Sequence, residues 1–180
     1  GRQDQPDSLH NVTSGQPNQY QQAIHQVGDV LEYYDNDKLF PTWGFGGVVQ
    51  SGGRAEHCFN LVQGGPNAKA QGVQGIMNAY NQAVASVQLS GPTIFSQVLD
   101  TAHAIATSGM DGSQYFVLLI LTDGEITDMD NTRDRIVQMS GFPISILIVG
   151  VGNCEFEKME LLDGDDGMLT GSDNRTRAQR

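Results

Sequence analysis

Cysteine is scarce in this chain, with only Cys58 and Cys154. Two thiols cannot build a disulfide framework, and they lack zinc-ligand spacing, so both are expected to be reduced. Positive charge is also scarce: 10 Lys and Arg against 21 Asp and Glu leave a net charge of -11 and a pI near 4.5. Such a field repels nucleic acid and anionic lipid alike. No nucleic-acid partner is expected, and any membrane contact needs a bridging cation or another domain. No apolar run approaches the roughly 18 residues of a bilayer span, and no charged, apolar and small-residue series resembles a signal peptide. A soluble, intracellular chain is the expectation. Its 180 residues suit one compact α/β domain with a single hydrophobic core.

Signatures of catalysis are missing as well. A phosphate loop needs Gly-x-x-x-x-Gly-Lys-Ser/Thr, and none of Lys38, Lys69 and Lys158 lies in one. Gly150-Val151-Gly152 follows an apolar run, as in dinucleotide-binding turns, but the third Gly and the later acidic residue are lacking. There is no Gly-x-Ser-x-Gly elbow, and neither cysteine has an activating context. The acidic clusters at residues 35–37, 128–130 and 163–166 do not continue into an EF-hand loop with its closing Glu, so they are expected to be solvated turns and helix caps. His10, His25, His57 and His103 are scattered and form no ligand pair. No enzymatic activity is expected.

What the chain does have is hydrophobic periodicity. Apolar residues at Tyr20, Ile24, Val27, Val30, Leu31 and Tyr34 predict an amphipathic helix over 18–34. Residues 38–46 predict a short strand, made irregular by Pro41 and Gly44. Its hairpin partner is expected over 55–62, after the glycines at 46–47 and 52–53. Residues 63–70 look like a loop. Helices follow over 71–87 and 94–107, separated by Ser90-Gly91-Pro92-Thr93. The run Tyr115-Phe116-Val117-Leu118-Leu119-Ile120-Leu121 predicts a central parallel strand covered by helices on both faces. A helix beginning at Asp128 or Met129 and ending at Ser140, with Asp128 as N-cap, comes next. Residues 144–150 predict a second buried strand, and a short helix is expected over 155–162. Glu155, Glu157, Glu160 and Asp163 would give that end a solvated acidic face, or one that meets a basic partner. Strands alternating with helices predict a doubly wound α/β fold.

Asp123 is the residue best placed for chemistry, because open α/β sheets bind ligands at the carboxyl ends of their strands. A carboxylate there can hold a metal, a ribose hydroxyl or a phosphate-bound Mg²⁺, and it can equally cap the following turn. Thr93, just before a helix, can cap that helix or project from the same rim. Thr and Asp oxygens together suit Mg²⁺ or Mn²⁺ with water in the remaining positions.

Several blocks carry a resemblance: Pro6-Asp7-Ser8-Leu9-His10, Phe40-Pro41-Thr42-Trp43-Gly44-Phe45-Gly46, residues 72–80, Gly91-Pro92-Thr93, residues 115–128, residues 143–152 and Met159-Glu160-Leu161-Leu162-Asp163-Gly164-Asp165. Together they resemble the von Willebrand factor A (vWA) type domain at the C-terminal end of copines. The resemblance implies a Rossmann-like, mostly parallel sheet with helices on both faces, spanning residues 1–165; the polar composition beyond it predicts a loosely ordered segment over 166–180. It also implies a metal-ion-dependent adhesion site for Mg²⁺ or Mn²⁺, with Thr93 matching the second ligand loop and Asp123 the third. The first loop, Asp-x-Ser/Thr-x-Ser after a central strand, has no match, since Asp4-Gln5-Pro6-Asp7-Ser8 departs from it. Losing a central strand would cost several kcal/mol at about 25 cal/mol/Å². That strand is therefore expected from residues preceding Gly1 or from a second molecule.

For function, the resemblance implies a module that recruits intracellular proteins. Upstream C2 domains would bind phospholipid with Ca²⁺ and carry a cytoplasmic protein to the plasma membrane when calcium rises. The alternative is the substrate-recruiting domain of a RING-type ubiquitin ligase.

Overall fold

The computed structural model describes residues 4–49, 53–108, 114–153, 156–163 and 167–179. The chain is mixed α/β and clusters into two compact units, Gly1–Gly91 and Pro92–Arg180. No described helix is long and apolar enough to cross a membrane.

The first unit is built on two helices. α1, Gln19–Tyr34, starts at a capping box in which the Asn18 side chain accepts the Gln21 amide (2.9 Å) and the Gln21 side chain accepts the Asn18 amide (2.7 Å). It packs on α2, Gly72–Ser86. The approach is close at Gly28, where an added Cβ would lie 3.0 Å from a Val73 methyl. α2 has no side-chain cap from its own N-cap, Gln71. Glu32 of α1 replaces it, accepting the Val73 amide at 2.9 Å. Gly72 makes this possible: its φ is +62°, and a Cβ there would sit 3.2 Å from the Glu32 carboxylate.

The N-terminal segment is pinned to the same helices. His10 stacks on Tyr20 at 4.2 Å and shares a 2.9 Å hydrogen bond with the Tyr80 hydroxyl, which also receives the Asn18 amide at 3.1 Å. Burial pushes the Tyr80 phenol up, the Asn18 hydrogen bond pulls it partly back, and it reaches about 12.

The strands here are short and antiparallel. β1 (Leu39–Pro41) pairs with β5 (Lys69–Gln71), β2 (Trp43–Gly44) with β4 (Phe59–Asn60), and β3 (Gly47–Val48) with β6 (Gln88–Leu89). The single strand expected over 38–46 is therefore two strands with different partners. The expected hairpin survives as the β2–β4 pair and an antiparallel bridge between Gly47 and Glu56. Residues 69–70, expected in a loop, are strand, as are Gln88 and Leu89 near the expected break. The reason is side-chain control of the intervening turns. The Asn60 amide donates to the carbonyls of Pro66 (3.0 Å) and Ala68 (2.9 Å), while its oxygen accepts the Val62 amide (2.7 Å). One polar residue thus folds the loop back so that β5 meets β1.

The second unit follows the alternation more closely. α3 (Ser96–Ser108), β7 (Phe116–Thr122), α4 (Met129–Met139), β8 (Ile144–Gly150) and α5 (Glu157–Glu160) succeed one another. β7 and β8 are parallel, in register from Phe116–Ile144 to Thr122–Gly150, with α4 as the crossover. The Val151 amide extends the ladder onto the Thr122 carbonyl at 2.7 Å. Phe95 and Leu99 are fully buried, each contributing about 1.5–3 kcal/mol.

Two expectations need correction. Among the described residues β7–β8 is the only parallel pair, the other sheets being antiparallel ribbons. Nor is this pair covered on both faces, since Val117 and Leu147 are 48% and 44% exposed. α3 starts two residues later than expected, and α5 is shorter than the helix expected over 155–162. Cys154, Glu155 and residues 164–166 lie outside the described residues; Cys58 is a thiol. Residues 167–179 make a turn on α4, where Asp134 accepts the amide (2.6 Å) and hydroxyl (2.7 Å) of Ser172.

Candidate functional site

The carboxyl end of β7 places Asp123 directly after the buried Thr122. The chain turns at Gly124, whose φ is +92° and whose amide donates to the Thr122 hydroxyl at 3.2 Å. Ile126 is buried and anchors the loop, leaving Asp123 half-buried and Glu125 and Thr127 exposed. One oxygen of Asp123 accepts the Glu125 amide at a long 3.3 Å, so the turn-capping role weighed from the sequence is present. The other oxygen has no protein partner among the described residues.

Thr93 stands in the loop before α3 and is tied to the Asp123 loop. Its amide donates to the Thr127 hydroxyl (3.2 Å), and its carbonyl accepts the Thr127 amide (2.9 Å). A second tie lies beside this one. Asp128 accepts the Phe95 amide on one carboxylate oxygen (2.9 Å) and the Ser96 amide on the other (3.0 Å), and Thr132 adds a hydroxyl donor at 3.2 Å. Burial alone would raise the Asp128 pKa. The Ser96 hydroxyl, the two amides and the Thr132 hydroxyl outweigh it, and the carboxyl is held below its ordinary value.

These contacts decide between the alternatives for Thr93 and qualify the expectation for Asp128. Thr93 does not cap α3 with its hydroxyl; at that helix start Asp128 accepts the Phe95 and Ser96 amides instead. Asp128 is the N-cap residue of α4, yet its side chain makes no capping bond there. It spends both oxygens on the start of α3, one of them shared with the Thr132 hydroxyl of α4. Thr127 and Asp128 are the residues that sequence reasoning missed as site builders. Asp128 was visible as a cap, but nothing local indicated which helix it serves.

Thr93 and Asp123 therefore lie on loops bound to each other at one strand end. The Thr93 hydroxyl has no protein partner among the described residues, so a hydroxyl and a carboxylate oxygen are both available. Both donors are hard oxygens, which fits Mg²⁺ or Mn²⁺ and not a thiolate-seeking metal. Among the described residues no group of three or more His, Cys, Asp or Glu is placed to hold an ion. Water or further oxygen donors would have to complete the coordination.

The class these features define is a mixed α/β domain whose parallel strand end carries oxygen donors on bracketed loops. The chain belongs to the copine family: the Copine family model matches residues 8–180. It is 50% identical over 165 residues to Protein BONZAI 2 and 47% identical over 178 residues to Protein BONZAI 1, both of Arabidopsis thaliana. Copine-A of Dictyostelium discoideum is 42% identical over 171 residues. These matches cover 90%, 97% and 94% of this chain but only 28%, 31% and 28% of the relatives. The chain thus spans less than a third of their length.

Proposed function

We propose that this is a protein-binding vWA-type module, one that binds and does not catalyse. Thr93 and Asp123 would hold Mg²⁺ or Mn²⁺ together with water or oxygen donors from outside these 180 residues. The ion supplies a Lewis-acidic position that a partner's carboxylate can occupy. The β7–β8 pair would be part of the doubly wound sheet that such domains use.

The observation that carries this reading is the double bracket, Thr127 on Thr93 and Asp128 on the start of α3, which fixes one donor loop against the other. Rigid loops lower the ordering cost of binding. Copine membership supports the wider proposal, in which calcium-dependent phospholipid binding elsewhere in the full-length protein delivers this domain and its cargo to a membrane. The acidic charge of the chain is consistent with a division of labour in which lipid is bound elsewhere.

The test is a Mn²⁺ titration of the full-length protein, followed by electron paramagnetic resonance, beside Thr93→Ala and Asp123→Ala. Among the cation sites of the full-length protein, one saturable Mn²⁺ site is expected to weaken about tenfold or more in each variant. Binding that both variants leave intact would overturn the assignment.

A further inference from the structure

α1 buries Ile24 and Gly28, yet its C-terminal turns present a second apolar surface. Tyr33 and Tyr34 are 84% and 77% exposed, and Val30, three and four positions earlier on the helix, is 57% exposed. The two rings meet edge to face at 5.3 Å. Solvent-facing aromatic clusters are costly to leave in water, and tyrosine is enriched where proteins meet.

The electrostatic surroundings are mostly negative. The last turn of α1 holds no basic residue, so its carbonyl ends present uncompensated negative charge. Asp35 and Asp37 follow at once, each with one carboxylate oxygen fastened to the backbone: Asp35 on the Asp37 amide (3.4 Å), Asp37 on the Leu39 amide (2.9 Å). Lys38, the cation of that turn, is drawn to Glu32 at 3.6 Å. Tyrosine faces attract cations as well. Rings, carboxylates and helix end together ask for a ligand both apolar and positive.

We infer that the C-terminal end of α1 is a docking surface for an arginine- or lysine-bearing segment of a partner protein. It uses no metal, and it stands or falls independently of the Thr93–Asp123 reading.

The probe is a short peptide alternating arginine and leucine and carrying a benzophenone, photo-crosslinked to the full-length protein and mapped by mass spectrometry. Adducts are expected on α1 and the turn that follows it. They should fall about tenfold in Tyr33→Ser/Tyr34→Ser, whose exposed positions leave the fold intact, and should persist in EDTA and in Asp123→Ala. A glutamate–leucine counterpart should give none. Adducts scattered over the acidic segments of the second unit, or equal yield from the double variant, would overturn the inference. So would sedimentation showing a dimer that the double variant abolishes, because the occupant would then be a second copy of the chain.

Discussion

Each compact unit has a helix that starts without a cap of its own and takes a carboxylate from elsewhere, but the two solve this differently. In the first, Glu32 reaches from the last turn of α1 to a single amide, and Gly72 leaves room for it. In the second, Asp128 takes two amides with its two oxygens and is itself steadied by Thr132. The first arrangement joins two helices that already pack on each other, so the carboxylate adds to an existing contact. The second fastens two loops at a strand end, beside the buried Phe95 and Ile126, and holds two amides where the first holds one. A borrowed carboxylate is thus expected to be worth more where it takes two amides than where it takes one.

The largest effect expected is on the second unit's core. Phe95→Ala should lower unfolding free energy by about 3–5 kcal/mol in urea denaturation. A loss below about 1 kcal/mol would mean that the polar bracket, not Phe95, organises this end of the unit. Next come the carboxylates. Asp128→Ala is expected to cost about 2–3 kcal/mol and Glu32→Ala about 1 kcal/mol by the same measurement. Equal losses would remove the distinction drawn above.

The pH dependence sharpens the comparison, because the two units should fail at opposite ends of the scale. The Asp128 pKa is lowered on folding, so its stabilisation is present above the ordinary Asp value and lost as pH falls through the folded value. The Tyr80 pKa is raised from 10.0 to about 12, so its stabilisation is complete below 10.0 and lost as pH rises toward about 12. Stability curves should show Asp128→Asn flattening the acid limb alone and Tyr80→Phe the alkaline limb alone. The smallest effect is expected at the surface pair Arg135–Asp100, 2.9 Å apart and half exposed. Arg135→Gln should shift stability by less than about 1 kcal/mol and lose even that in high salt.

Much of this architecture was legible in the sequence, unevenly so. α1, α2, α4, β7 and β8 fall within a residue or two of expectation, because each is long enough to display its period. β1 to β6 are two or three residues long and display none. Their positions depend on Asn60 and on glycines such as Gly44, where a Cβ would meet the Phe59 ring at 2.8 Å. At the candidate site Thr93 and Asp123 could be named from their places after a Gly-Pro turn and at a strand end. The residues that hold their loops together could not. Thr127 and Asp128 act on partners more than thirty residues away, and local spacing carries no record of such partners.

That separation has a kinetic meaning. The Phe95–Asp128 bond spans 33 residues of chain, with α3 and β7 between its ends. Closing so long a segment costs chain entropy that neither α3 nor β7 recovers alone, so the tie is expected to form late, after the folding transition state. Removing it should then leave the refolding rate almost unchanged and fall on the unfolding rate. Stopped-flow measurements on Asp128→Ala would read this as a shorter folded lifetime. The bracket at the strand end is a device for persistence, holding the two loops in place between one opening of the domain and the next.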